Sequence, residues 1–103
     1  MKTLATIRND LKDIRYYYSR KATFDEATRL PGAAMEILET VRIYNEAARK
    51  APARLFDLYY SLYVKNNTQE SLSELLGFTP QYIQRLNTRL VQFLHSVFEK
   101  ESA

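Results

Sequence analysis

The chain has 103 residues, no cysteine and one histidine, with 15 Lys+Arg against 12 Asp+Glu. The length suits one compact domain with a small core. A hydrophobic fraction of 46% and an aromatic fraction of 13% exclude a chain disordered throughout. Without cysteine there is neither a disulfide scaffold nor a thiolate zinc site. His95 alone offers no partner for a histidine metal site or a Ser-His-Asp triad. Only 2 Gly and 3 Pro point to helices with few breaks.

The first helix is read from Leu4, Ile7, Leu11, Ile14 and Tyr18, three or four residues apart on one stripe. Lys21–Leu30 continues it or restarts at Thr23, where Asp25 and Glu26 suit a first turn. Pro31-Gly32 is the clearest break. A second helix follows with Ala34, Ile37, Leu38, Val41, Tyr44 and Ala48 on one side. The short connection favours antiparallel neighbours, a helical hairpin over residues 1–50. Pro52 fits the first turn of a third helix, with Leu55, Leu58, Tyr59 and Leu62 as its apolar face.

Residues 52–103 form the second unit. Thr68 reads as an N-cap, where its hydroxyl accepts a free backbone N–H, worth about 1 kcal/mol. Leu72, Leu75 and Leu76 are expected to face inward, and Gly77 to end the helix in a left-handed conformation. Ser73 stands where two crossing helices need a small residue, and Phe78 is expected to plug the space between them. Thr79-Pro80 is a second start signal, cap then proline. Ile83, Leu86, Leu90, Leu94 and Val97 form the inner stripe of a long last helix. Short helix, glycine turn and longer helix make the layout of a helix-turn-helix.

The run Thr68-Gln69-Glu70-Ser71-Leu72-Ser73-Glu74-Leu75-Leu76-Gly77-Phe78-Thr79 resembles the helix-turn-helix of region 4 of bacterial sigma factors. The likeness spans Leu55 to about Lys100 and departs at Ser71 and Ser73, where that family favours Glu and Ala. The whole chain also resembles small proteins of Gram-positive phages and mobile elements, in which a helical hairpin precedes such a motif. The resemblance implies an all-α fold and a DNA-binding regulator of transcription. It also implies RNA polymerase as a second partner, although no full sigma factor fits in this length.

The polar face of the last helix holds Gln81, Arg85, Thr88 and Gln92, flanked by Gln84 and Arg89, with Tyr82 at its edge. Gln pairs bidentately with adenine, Arg with guanine, and the Thr methyl touches thymine. Thr79 and nearby backbone N–H groups suit a phosphate at the helix N-terminus. The candidate DNA-binding residues are therefore Thr79, Gln81, Tyr82, Gln84, Arg85, Thr88 and Arg89, on double-stranded DNA. The alternative is a helical protein–protein interaction module that binds no DNA.

Charge distribution leaves that choice open. Residues 1–54 carry 11 basic and 7 acidic side chains, and residues 55–103 carry 4 and 5, so the net charge of +3 comes from the hairpin. Arg15-Tyr16-Tyr17-Tyr18-Ser19-Arg20-Lys21 is the densest basic-aromatic stretch. It suits nucleic-acid contact, but Tyr18 equally continues the first apolar stripe while Tyr16 and Tyr17 point elsewhere. Two small units hold little core each, so pairing of hairpins in a homodimer is a natural way to bury more surface. The pairs Glu36/Glu39 and Glu70/Glu74 read as solvated helix charge, and with two glycines there is no phosphate-cradling loop. No enzyme activity and no cofactor are expected. No apolar run spans a membrane and the start lacks a signal peptide's apolar core, so a soluble cytoplasmic protein is expected.

Overall fold

A computed structural model describes residues 2–21 and 35–102. The expected restart at Thr23, the Pro31-Gly32 break and Ala34 lie outside them. The described residues are all-α, with five helices and no strand. These are α1 (Leu4–Ser19), α2 (Met35–Arg49), α3 (Ala53–Tyr59), α4 (Gln69–Leu76) and α5 (Pro80–Ser102). α3 runs on into a π-helical turn, Tyr60–Val64.

Thr3 caps α1, its hydroxyl accepting the Thr6 N–H at 3.1 Å. Ile7, Leu11, Ile14 and Tyr17 are buried, as the spacing of three and four requires for one stripe. Tyr17, read as lying off the stripe and packing on the second helix or the C-terminal unit, is only 5% exposed, and Tyr18, expected on the stripe, is half-buried at the edge. Both positions follow Ile14 at helical spacing, so periodicity alone does not separate them. Tyr18 sits where its hydroxyl accepts Asn45 Nδ2 at 3.0 Å. Leu4, expected on the same stripe, lies in the first turn and is largely exposed.

On α2, Val41, Tyr44, Ala47 and Ala48 are buried while Ile37 and Leu38 are only partly covered. Pro52 stands at the N-cap of α3, one position before the first turn expected for it. In the π turn the Lys65 N–H reaches back five residues to the Tyr60 carbonyl at 2.8 Å. Leu58, Tyr59, Leu62 and Tyr63 are all buried, and Leu55 is half-buried. Asn66 then takes a left-handed φ of 62°, which Asn tolerates better than most residues.

α5 lies through the middle of the molecule and packs on α1, α2, α3 and α4. Ile83, Leu86, Leu90, Leu94 and Val97 are buried as the sequence stripe predicts, joined by Val91 and Phe98. One apolar core runs from Ile7 on α1 to Phe98 on α5, so side chains on both sides of residue 51 share it.

Tyrosine hydroxyls stitch the helices. Tyr44 Oη donates to Asp10 Oδ2 at 2.6 Å, linking α2 to α1. Tyr59 Oη donates to Asn45 Oδ1 at 2.6 Å, linking α3 to α2. Among the described residues no buried side-chain nitrogen or oxygen lacks a partner. Burial first, and then neighbouring groups, hold the Tyr44 and Tyr59 hydroxyls well above the usual tyrosine range. A folded pKa above the unfolded value gives stability that is complete below the unfolded value, about 10, and is lost as pH rises beyond it. Urea unfolding followed at several pH values should therefore show a steady midpoint up to about pH 10 and a fall above it. Tyr59→Phe should cost about 1–3 kcal/mol at neutral pH and make the alkaline fall shallower.

Candidate nucleic-acid interface

The candidate residues stand on α4, the Gly77 turn and α5. Thr68 caps α4 as predicted: its hydroxyl accepts the Ser71 N–H at 2.9 Å. Ser71 Oγ returns the contact by accepting the Thr68 N–H at 3.1 Å. This reciprocal box uses serine at the position where glutamate or glutamine is usual. Gly77 has φ 71°, the left-handed helix end expected of it. Ser73 is buried, and its hydroxyl donates to the Phe78 carbonyl, tying α4 to the far side of the turn. Thr79 caps α5, accepting the Tyr82 N–H at 3.1 Å.

Two leucines depart from the sequence reading. Leu72 is buried, but Leu75 is 73% exposed and Leu76 54%. An eight-residue helix covers only its central inward positions, and Leu72 with Ser73 already fills the contact with α5. Leu76 instead lines an open apolar groove of about 510 Å³ with Leu58, Leu72, Phe78, Ile83 and Leu86. Phe78 is half-buried rather than a full plug. Its ring meets Tyr82 edge-on at 5.0 Å, with the Arg54 guanidinium 5.9 Å away.

The outward row of α5 comprises Gln81, Gln84, Arg85 and Arg89, all exposed, with Thr88 half-buried among them. The Gln81, Gln84, Arg85 and Arg89 side chains have no hydrogen-bond or ion-pair partner among the described residues. Thr88 Oγ1 donates to the Gln84 carbonyl at 3.2 Å, leaving its methyl as the free group. Tyr82 is more committed, because its hydroxyl accepts Arg54 Nη1 at 2.6 Å. Arg54 thus stands on one flank of the row.

The inner side of α5 carries Asn87, which sequence reasoning passed over because a single Asn carries no periodic signal. Asn87 is buried, and its Oδ1 accepts the Tyr63 hydroxyl at 2.5 Å. Burial pushes the Tyr63 hydroxyl up, while the positive charges of Arg8 and Arg15 act against that shift. α1, which carries both arginines, packs on α5, and Asn87 lies on the buried side of α5, away from the exposed Arg85 and Arg89.

The remaining candidates are accounted for locally. Glu39 pairs with Arg42 at 2.5 Å, and Arg42 also meets Glu46 at 3.0 Å, on an exposed helix face. His95 Nε2 is 3.6 Å from Glu99. Among the described residues no three His, Cys, Asp or Glu come together as a metal site. No helix there is long and apolar enough to cross a membrane. Neither a family model nor a curated protein nor a solved structure matches the chain.

The Tyr63–Asn87 contact can be isolated by a double-mutant cycle. Tyr63→Phe leaves Asn87 Oδ1 buried without a donor and should cost about 1–3 kcal/mol. Adding Asn87→Leu should recover part of that loss, with a coupling energy of about 0.5–3 kcal/mol by urea unfolding.

Proposed function

We propose that the chain is a sequence-specific DNA-binding regulator of transcription, with α4, the Gly77 turn and α5 acting as a helix-turn-helix of sigma-region-4-like type. One observation carries this reading. Gln81, Gln84, Arg85, Thr88 and Arg89 share the outward face of a capped helix whose opposite face is fully engaged in the core. Four of these five side chains have their polar ends free. Free donors on a rigid helix suit base-edge readout, because pairing with a base breaks no internal bond. Arg85 would pair with guanine, Gln81 and Gln84 with adenine, and the Thr88 methyl would touch thymine. Thr79 sets the N-terminus, where backbone N–H groups suit a phosphate. Tyr82, held by Arg54, would shape the edge of this surface rather than read a base.

In this proposal residues 52–103 carry the DNA-binding unit, and residues 1–50 form a helical hairpin that packs against it or pairs in a homodimer. The reading includes no catalysis and no cofactor. A setting in a phage or mobile element follows only from the whole-chain resemblance, and contact with RNA polymerase only from the sigma-like resemblance of Leu55 to about Lys100.

A second reading is favoured by a specific observation. The groove beside Leu76, with Leu75 and Leu76 exposed at the end of α4, is an apolar surface of the kind that takes a partner protein. One experiment separates the two. Selection of random duplex DNA by the full chain should enrich a defined sequence. Arg85→Ala should weaken that binding by about 1–3 kcal/mol and relax preference at one position. If no sequence is enriched and Arg85→Ala changes nothing, the DNA reading fails and the protein-interaction module remains.

A further inference from the structure

The sequence leaves the basic-aromatic end of α1 without a role, and its geometry supplies one. Arg8, Lys12, Arg15 and Ser19 follow one another at steps of four, three and four residues. On a helix they form a single line beside the buried stripe. The two acids of α1 are kept away from it. Asp10 is held on the α2 side by the Tyr44 hydroxyl at 2.6 Å and Lys2 Nζ at 2.8 Å. Asp13 falls on the helix face turned away from the line. Arg8, Lys12 and Arg15 consequently have no ion-pair partner among the described residues.

The line continues onto the chain that leads into α4. Arg15 Nη2 donates to the Asn66 carbonyl at 3.5 Å. Lys12, Arg15, Tyr16, Ser19 and Asn66 together line a shallow depression of about 260 Å³ that contains no acidic side chain. Eleven helical steps of about 1.5 Å make the line roughly 16 Å long, enough to meet more than one phosphate of a duplex. Like charges three and four residues apart on a helix repel one another weakly, and an extended polyanion would relieve all three at once. A single small anion would meet only one or two.

We infer that the Arg8–Lys12–Arg15–Ser19 line, with Asn66, is a second contact surface that holds the phosphate backbone of the duplex whose bases face α5. The inference rests on the proposed DNA reading of α5. It adds to that reading the phosphate contacts which the weakly charged half, residues 55–103, lacks. Base readout then belongs to α5 and the salt-dependent affinity to α1, a division of labour between the two units.

The test measures binding of the full chain to a selected duplex and to an unrelated duplex, between about 50 and 200 mM salt. For Arg8→Gln/Lys12→Gln/Arg15→Gln, the slope of log affinity against log salt should fall by about 2–3, at about 0.9 per phosphate contact. Affinity should drop for both duplexes alike, leaving their ratio unchanged. Lys12→Glu, at an exposed position, gives the same answer if the triple variant does not fold: its slope should fall by about 1. If these variants keep the wild-type slope while Arg85→Ala weakens binding, the α1 surface is refuted and the α5 reading stands. If the wild type binds both duplexes equally and the α1 variants abolish binding, the α1 surface stands and the α5 reading falls. Failure of the wild-type chain to bind either duplex overturns both.

Discussion

The hydrogen bond from Tyr63 to Asn87 ties the π turn to α5 inside the shared apolar core. A tyrosine ring brings a large apolar area into a small core, but its hydroxyl cannot be left there without a partner. Asn87 supplies that partner from α5 at 2.5 Å. The bond adds a directional contact to the rotation of α5 against the π turn that its buried apolar stripe sets. That rotation settles which residues of α5 go in and which stay out. With Asn87 turned inward beside Ile83, Leu90 and Val91, helical geometry sends Gln84, Arg85 and Arg89 outward. The polar row is thus a consequence of how the opposite face is held.

The same device recurs across the molecule. Tyr44 reaches Asp10, and Tyr59 reaches Asn45, whose amide nitrogen in turn donates to Tyr18. Each bond joins two different helices, so each limits sliding between apolar surfaces that would otherwise be matched only by shape. The arrangement also has an electrostatic outcome. Tyr44 and Lys2 take up Asp10 on the α2 side, and neither acid of α1 stands three or four residues from Arg8, Lys12 or Arg15. Those three cations have no ion-pair partner among the described residues.

The two sides of α5 differ in kind. On its buried side α5 packs on α1, and Asn87 meets Tyr63. On the side of Tyr82 stand Arg54, already committed to the Tyr82 hydroxyl, and the apolar groove that Leu76 lines.

Local signals in the sequence determined the helix ends around α4 and α5, because caps and left-handed turns are written in single residues: Thr68, Gly77, Thr79 and Pro80 act through their own backbone geometry. The inner stripe of α5 was equally legible, since five apolar residues at helical spacing leave one solution. Tertiary structure decided what periodicity leaves tied. Tyr17 and Tyr18 both follow Ile14 at helical spacing, and only the place of Asn45 put Tyr18 at the edge. Leu75 and Leu76 look like core residues by composition, yet a helix of eight residues has one contact face and Leu72 with Ser73 occupies it. The charge of +3, mute as a total, gains a place only when α1, which carries Arg8, Lys12 and Arg15, packs against α5. Which helix lies beside which is a property of packing, which no local pattern records.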